Sequence, residues 1–465
     1  MPNLVVYDTE TTTNMVKPES DFNQVIQIAS ILYDFDLNKK DEFDITCRPL
    51  PWSLFSPGAL LTNRKVEAFS TDITHYQLIL ETLDKWRSWS NDVDTIFISY
   101  NGDRFDEEVM RRQFYWNLMD PYFTSKDGRS RLDLLVKLYP MNIFYEDSLN
   151  IPEINGKKSF KLENIIKSYG IDTSDAHDAF TDCLFLYELL ALIKNNAPNY
   201  FDEIISTTDK NKKIKHLIDN EIHFDCTAFG NKYPVYTFNS ENYENQLIAS
   251  FDLNFDPDDY LNLSYSELEA LIFSKGKKKK IIKEVNVRKT TPLVSINTLI
   301  SDKKSIDNID KIKANKDKIS SNQNFKEKVL DIFANKTFEN TPTNIPEQRM
   351  YSGGFLTNRD IDVFMKFHNE KNLDEKIKII NSLDDDRYIQ FAKRICAQEF
   401  PETAPKDYLI HCKNLITERF NDKGPWPDAE KYLNDANKLL ENTTDEEDIS
   451  LLNTSIDHIN KNRIN

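Results

Sequence analysis

The pattern of apolar and polar positions divides the chain into three stretches. In the first, short apolar runs alternate with helical periodicity. Leu4, Val5, Val6 and Tyr7 read as a buried strand, and residues 25–33, 43–47 and 95–100 repeat the signal. Residues 104–117 read as a helix. Leu162, Ile165, Ile166 and Tyr169 fall at helical spacing, and Gly170 follows as a natural stop. A long helix is predicted over 176–195, with Pro198 beyond it. This mixture predicts an α/β sheet domain over 1–197. In the second stretch, 198–350, residues 223–229, 233–238, 247–253 and 281–296 are strand-like, which predicts a small β-rich domain. Residues 301–324 are polar enough to read as a loop or linker. The third stretch, 351–465, is helical in period throughout; Ile361, Phe364, Met365 and Phe367 open it.

Composition changes this picture little, and charge changes it more. The chain has 465 residues, of which 12% are aromatic, too many for a disordered chain. No apolar run approaches the ~18 residues of a membrane span, and the first residues lack a basic, apolar leader. The five cysteines show no zinc spacing and read as free thiols in a reducing cytoplasm. A monomer with no membrane association is expected. A formal net charge of −17 argues, at face value, against nucleic acid. However, residues 271–330 carry sixteen Lys/Arg against six Asp/Glu. The lysine run 275–280 is the densest part of that basic island.

The candidate chemistry begins at the end of the first strand. Asp8 and Glu10 stand two residues apart, so both carboxylates share one face. Like charges that close repel, and a divalent cation such as Mg²⁺ is the usual remedy. Asp182 stands on the stripe formed by Ala179, Leu186, Leu189 and Ile193, where a carboxylate is costly unless paired or bound to metal. Asp106 repeats this with Val109, Met110 and Phe114. His177 precedes Asp182 by five positions, about 140° around a helix. It is therefore expected in the lead-in turn, from which an imidazole can swing to the site. An imidazole, with its ordinary pKa of ~6.5, suits a general base near neutral pH. Four carboxylates on three segments with one histidine fit two-metal phosphodiester hydrolysis.

These segments resemble the three signature motifs of the DEDDh 3′→5′ exonucleases, which share a ribonuclease H-like fold. The motifs are Asp8-Thr9-Glu10, Asn101 with Phe105-Asp106, and His177 with Asp182. Within that superfamily the chain is most similar to the bacterial exodeoxyribonuclease I family. The likeness is carried by Pro57-Gly58-Ala59, Tyr100-Asn101-Gly102-Asp103-Arg104-Phe105-Asp106-Glu107-Glu108, Asp120-Pro121-Tyr122, Ser159-Phe160-Lys161-Leu162-Glu163, Ala176-His177-Asp178-Ala179 and Tyr351-Ser352-Gly353-Gly354-Phe355. The resemblance implies an exonuclease domain, then an SH3-like β-rich domain and an α-helical C-terminal domain, closing a basic groove around single-stranded DNA. It implies two Mg²⁺ ions on Asp8, Glu10 and Asp182, with Asp106 completing the acidic set through water and His177 as the base. It further implies that Glu10 and Lys161 touch the 3′-terminal nucleotide. Phe160, Arg111 and Tyr122 would contact the strand, stacking on bases and holding phosphate.

The implied activity is processive 3′→5′ degradation of single-stranded DNA to 5′-mononucleotides, in repair and recombination. A further implied partner is the acidic C-terminal tail of single-stranded DNA-binding protein. The alternatives are an RNA-trimming or proofreading relative, against which the two extra domains argue, and a non-catalytic strand-binding protein, against which the intact acidic set argues. Four positions depart from the family's pattern. Thr12-Thr13 replaces Phe-Gly, Lys161 replaces arginine, and Lys126 replaces a tryptophan. Lysine lacks the bidentate fork of arginine, so the second change bears on phosphate contact.

Overall fold

The structure is a computed structural model that describes residues 1–13, 19–174, 176–243, 247–274, 280–337 and 342–463. Its first sheet is built from β1 (Asn3–Thr11), β2 (Val25–Tyr33), β3 (Lys39–Thr46), β4 (Thr95–Ser99) and β5 (Arg129–Asp133). The order is β3-β2-β1-β4-β5. β1 pairs antiparallel with β2, and β2 with β3; β1–β4 and β4–β5 are parallel. Strand alternation sends Leu4 and Val6 into one core and Val5 and Tyr7 into another. The helix Ala179–Asn196 covers the first face through Cys183, Leu186, Leu189 and Ile193. The helices His75–Ser90 and Asp106–Trp116 cover the second, around Trp86 and Phe114.

Helix starts follow their caps. The expected helix over 104–117 begins at Asp106, and that over 176–195 begins at Ala179. In the second case Asp178 is the N-cap, its carboxylate accepting from the Thr181 N–H at 3.1 Å. A short hairpin, β6 (Glu153–Ile154) and β7 (Lys157–Lys158), precedes the helix Leu162–Lys167.

The middle region contains β8 (Ile222–Cys226), β9 (Lys232–Phe238), β10 (Ala249–Asp252), β11 (Ile282–Glu284) and β12 (Leu293–Ser295). They form an antiparallel sheet of order β11-β10-β9-β8-β12. Its inner face is continuous with the core under the first sheet, since Phe224, Phe251 and Val294 join the same cluster as Leu4 and Leu186. Polar staples hold the two regions as well. Lys137 Nζ donates to Thr291 O at 2.8 Å, and Lys289 Nζ to Asp103 O at 2.7 Å. Thr290 N donates to Asp103 Oδ2 at 2.6 Å.

The loop or linker expected over 301–324 is a misreading. The helix Ile309–Ser320 fills most of it, and Gln323–Ala334 begins a second helix. Ile312 and Ile319, seven residues apart, are buried, whereas Lys313 is exposed and Lys316 and Lys318 are partly so. A narrow apolar seam in a lysine-rich segment is enough for an amphipathic helix once a sheet is there to receive it. Much of the basic island serves the fold. Lys283 pairs with Asp225, Lys316 with Glu221, and Lys318 with Asp256 and Asp258. Residues 275–279 of the lysine run lie outside the described residues. The last region is helical as expected, from Asn358–Asn369 to Glu446–Arg463. In its first helix Val363, Phe364 and Phe367 are buried, whereas Met365 is exposed.

Candidate active site

Strand period assembles the acidic set. Leu4, Val6, Asp8 and Glu10 share the face of β1 that meets the helix Ala179–Asn196, and Asp182 lies in the first turn of that helix. One carboxylate oxygen from each of Asp8, Glu10 and Asp182 lies within 4.8 Å of the others. Thr9 points to the opposite face, where its hydroxyl donates to Asp106 Oδ1 at 2.7 Å. Asp106 therefore sits at the rim of the three-carboxylate group rather than inside it. It is set there by the start of its own helix.

That start depends on a glycine. A β-carbon on Gly102 would lie 1.8 Å from Ser99 Oγ, so only glycine lets the 101–105 loop fold over the end of β4. Asp133, at the end of β5, accepts the Asn101 and Asp103 N–H groups at 2.9 and 3.3 Å and holds that loop.

The electrostatics are those of a charge awaiting a counterion. Burial, then Asp106, Asp182 and Glu10, push the Asp8 carboxyl well above its usual range. Burial, then Asp182, do the same to Glu10, and Lys65 opposes them. Burial raises Asp106 to about 7 against the Thr9 hydrogen bond, and Asp182 to about 6 against His177. Clustered, desolvated oxygen donors of this kind suit a hard divalent cation.

His177 occupies the expected lead-in turn, with φ 70°. Its imidazole is about half exposed, and Nε2 lies 3.4 Å from Glu163 Oε2. Asp8, Glu10, Asp106, Asp182 and His177 line one cleft of about 430 Å³. Phe160 and Lys161 line it too. Phe160 packs edge-on against Tyr139 at 5.3 Å, and its carbonyl accepts the Tyr100 hydroxyl at 2.5 Å. Lys161 is the N-cap of the helix Leu162–Lys167, and its exposed ammonium is 3.5 Å from Glu163.

Arg111 and Tyr122 do not line this cleft. The Arg111 guanidinium lies 3.0 Å from Glu107 and 5.1 Å from the Tyr122 ring centroid. Tyr122 is in turn 6.5 Å from Phe355, which is 86% exposed. The two therefore belong to an aromatic surface where the last region meets the first. Arg112 is buried on Asp21 and Glu108 and is structural. Lys126 takes an ion pair with Asp120 at 2.7 Å and stands 5.5 Å from the Tyr122 ring.

Two residues near the site escaped sequence reasoning. Glu163 lies three residues after Phe160 in a quoted motif, and this proximity was its only signal. Lys65 had none. It follows the helix Pro57–Asn63, and its ammonium is 2.6 Å from Asp178, the residue after His177. Gln27 donates to the same carboxylate oxygen at 3.2 Å and accepts the Ala179 N–H at 3.2 Å.

Comparison with known proteins agrees with this geometry. Residues 5–190 match the Exonuclease family (RNase_T). Exodeoxyribonuclease I of Escherichia coli is 32% identical over 200 residues, 42% of this chain and 41% of that protein, so the match spans under half of the relative's length. The crystal structure of E. coli exonuclease I in complex with a dA16 oligonucleotide superposes with a TM-score of 0.80 at 23% identity, over 99% of this chain and 100% of that one. An ExoI/SSB-Ct complex gives 0.76 at 22% identity, over 99% of each chain. Residues 5–190 are thus similar to the Exonuclease family, and the whole chain shares the fold of the exonuclease I structures.

Proposed function

We propose that the protein is a Mg²⁺-dependent 3′→5′ exonuclease that degrades single-stranded DNA processively to 5′-mononucleotides, in repair and recombination. The observation that carries this reading is the convergence of Asp8, Glu10 and Asp182 within 4.8 Å, beside His177, in one cleft. Two Mg²⁺ ions on these carboxylates, with Asp106 completing the set, would supply the Lewis acidity for phosphodiester hydrolysis. His177 takes the proton of the attacking water, and Glu163 is placed to orient the ring. Glu10 and Lys161 hold the 3′-terminal nucleotide, and Phe160 offers a face for its base. Arg111 and Tyr122 guide the strand farther out, with the exposed Phe355 beside them.

We read 1–197 as the exonuclease domain, 198–350 as an SH3-like domain and 351–465 as a helical domain. In this reading the enzyme is a cytoplasmic monomer that also engages the tail of single-stranded DNA-binding protein, as the ExoI/SSB-Ct complex supports. Among the described residues no helix is long and apolar enough to cross a membrane.

End-labelled single-stranded DNA, duplex DNA and RNA, each with Mg²⁺ or EDTA, test the proposal. Shortening of single-stranded DNA from its 3′ end is expected only with Mg²⁺. No metal-dependent shortening of any substrate would sink the enzyme reading, and preference for RNA would sink the substrate assignment.

A milder effect is expected at Lys65. Lys65→Met leaves the carboxylates in place but takes the ammonium from Asp178, which keeps only Gln27 and the Thr181 N–H, so the His177 turn loses one anchor. Turnover is expected to fall about tenfold, as for removal of an outer-shell partner. KM should change little, and Lys65→Arg should restore most of the rate. A loss confined to KM would place Lys65 on the substrate instead.

A further inference from the structure

A second cavity, of about 50 Å³, lies where the first region meets the helical one. It shares no lining residue with the catalytic cleft. Trp52, Ser53 and Trp116 line it, and so do Glu347, Arg394 and Arg419. The last three are 5%, 5% and 3% exposed. Both guanidinium groups bond one carboxylate oxygen. Arg394 Nη1 is 2.8 Å and Arg419 Nη2 3.2 Å from Glu347 Oε1. Two buried cations on one carboxylate leave a net positive charge among the buried groups, which is costly, and Glu418 beside Arg419 opposes it only from the exposed surface.

The hydrogen-bond inventory has the same sign. Among the described residues, Ser53 Oγ, Trp116 Nε1, Arg419 Nε and Arg419 Nη1 have no hydrogen-bond partner. Glu347 Oε2 is the one atom of this group left in that state that can only accept. The faces of Arg419 are covered by Phe22 and Trp426, at 4.4 and 4.2 Å, so only its edge is free to bond. His411 does not alter this balance. Its ring is 3.3 Å from Arg394 Nε, and burial and the arginine lower its pKa, favouring the neutral form. A buried site with surplus donors and surplus positive charge is complete only with a guest that accepts and is negative. The space is small. At ~10–15 Å³ per water centre it holds a few waters or one ion of similar size, and neither a nucleotide nor a peptide.

We propose that this cavity binds one small monovalent anion of the halide class, which bridges the exonuclease and helical regions. The test uses the whole chain without DNA or metal. Sodium gluconate, too large to enter, is exchanged for sodium chloride at constant ionic strength while thermal unfolding is followed. The melting temperature is expected to rise by about 2–4 °C by about 200 mM chloride. Ser53→Ala and Trp116→Phe each remove one donor and keep most of the shape. Each is expected to move the chloride dependence to about fivefold higher concentration, the worth of one hydrogen bond. Crystals soaked in bromide are expected to show an anomalous peak within hydrogen-bond distance of Trp116 Nε1 and Arg419. Equal melting in the two salts, or a cavity that holds only water after the soak, overturns the proposal. The bromide measurement is made on the unaltered chain, so it decides the matter even where a variant fails to fold.

Discussion

Asp182→Asn is expected to abolish cleavage of single-stranded DNA while leaving strand binding within about threefold of the unaltered protein. The rate loss should exceed the ~10²–10³ typical of one preorganised electrostatic contact, because the carboxylate holds the cation on which the chemistry depends. Strand affinity should survive because the surfaces around Phe160, Arg111 and Tyr122 are built from other elements.

Stability separates this from misfolding. Burial raises the Asp182 carboxyl to about 6, above the ordinary carboxylate value, so the folded state binds its proton more tightly than the unfolded state. For a raised acid the stability contribution is fully present below the unfolded pKa and is lost as pH rises through the folded one. At pH 8 without metal the ionised Asp182 is therefore a liability, and its removal should leave the melting temperature unchanged or higher. Mg²⁺ should raise the melting temperature of the unaltered protein at pH 8 and raise that of the variant much less. A variant that melts early without metal would assign Asp182 to folding. One that keeps near-normal turnover would remove it from the reaction.

His177→Ala is the second large effect. A general base contributes roughly 10²–10⁴-fold, and a loss in that range is expected in kcat with little change in KM. The imidazole is half exposed, so thermal stability should hold. Raising the pH should recover part of the lost rate, because hydroxide replaces the missing base. Glu163→Gln should cause a smaller loss, since its carboxylate touches the ring only through Nε2 at 3.4 Å. If His177→Ala and the unaltered protein share one pH profile, the histidine is not the base.

The acidic set was legible from local rules. A strand of period two places Asp8 and Glu10 together, and an apolar helix stripe beside Asp182 and Asp106 made each a candidate that only the combined set singled out. The angular mismatch between His177 and Asp182 placed the histidine in a turn, where it stands at φ 70°. Side-chain roles farther out were not legible in the same way. Arg111 and Arg112 are adjacent, yet one approaches Tyr122 and the other is buried on Asp21. Helical period alone cannot choose between them, because the choice depends on a chain segment ninety-one residues away. The helix Ile309–Ser320 was missed for a related reason. Its two buried isoleucines are too few to register against a lysine-rich background, and they count only because a sheet lies beneath them.

By itself the sequence determined the α/β opening, the shared face of Asp8 and Glu10, the turn that carries His177 and the helical last region. Each follows from interactions within a few residues, where backbone geometry sets which side chains share a face. Tertiary structure decided the rest. It brought Lys65 to Asp178 and Glu163 to His177, and joined the core of the middle sheet to that of the first. It also closed two arginines and one glutamate around a small cavity between distant regions. Those contacts join residues tens to hundreds of positions apart, and only the packing of whole faces determines which of them meet.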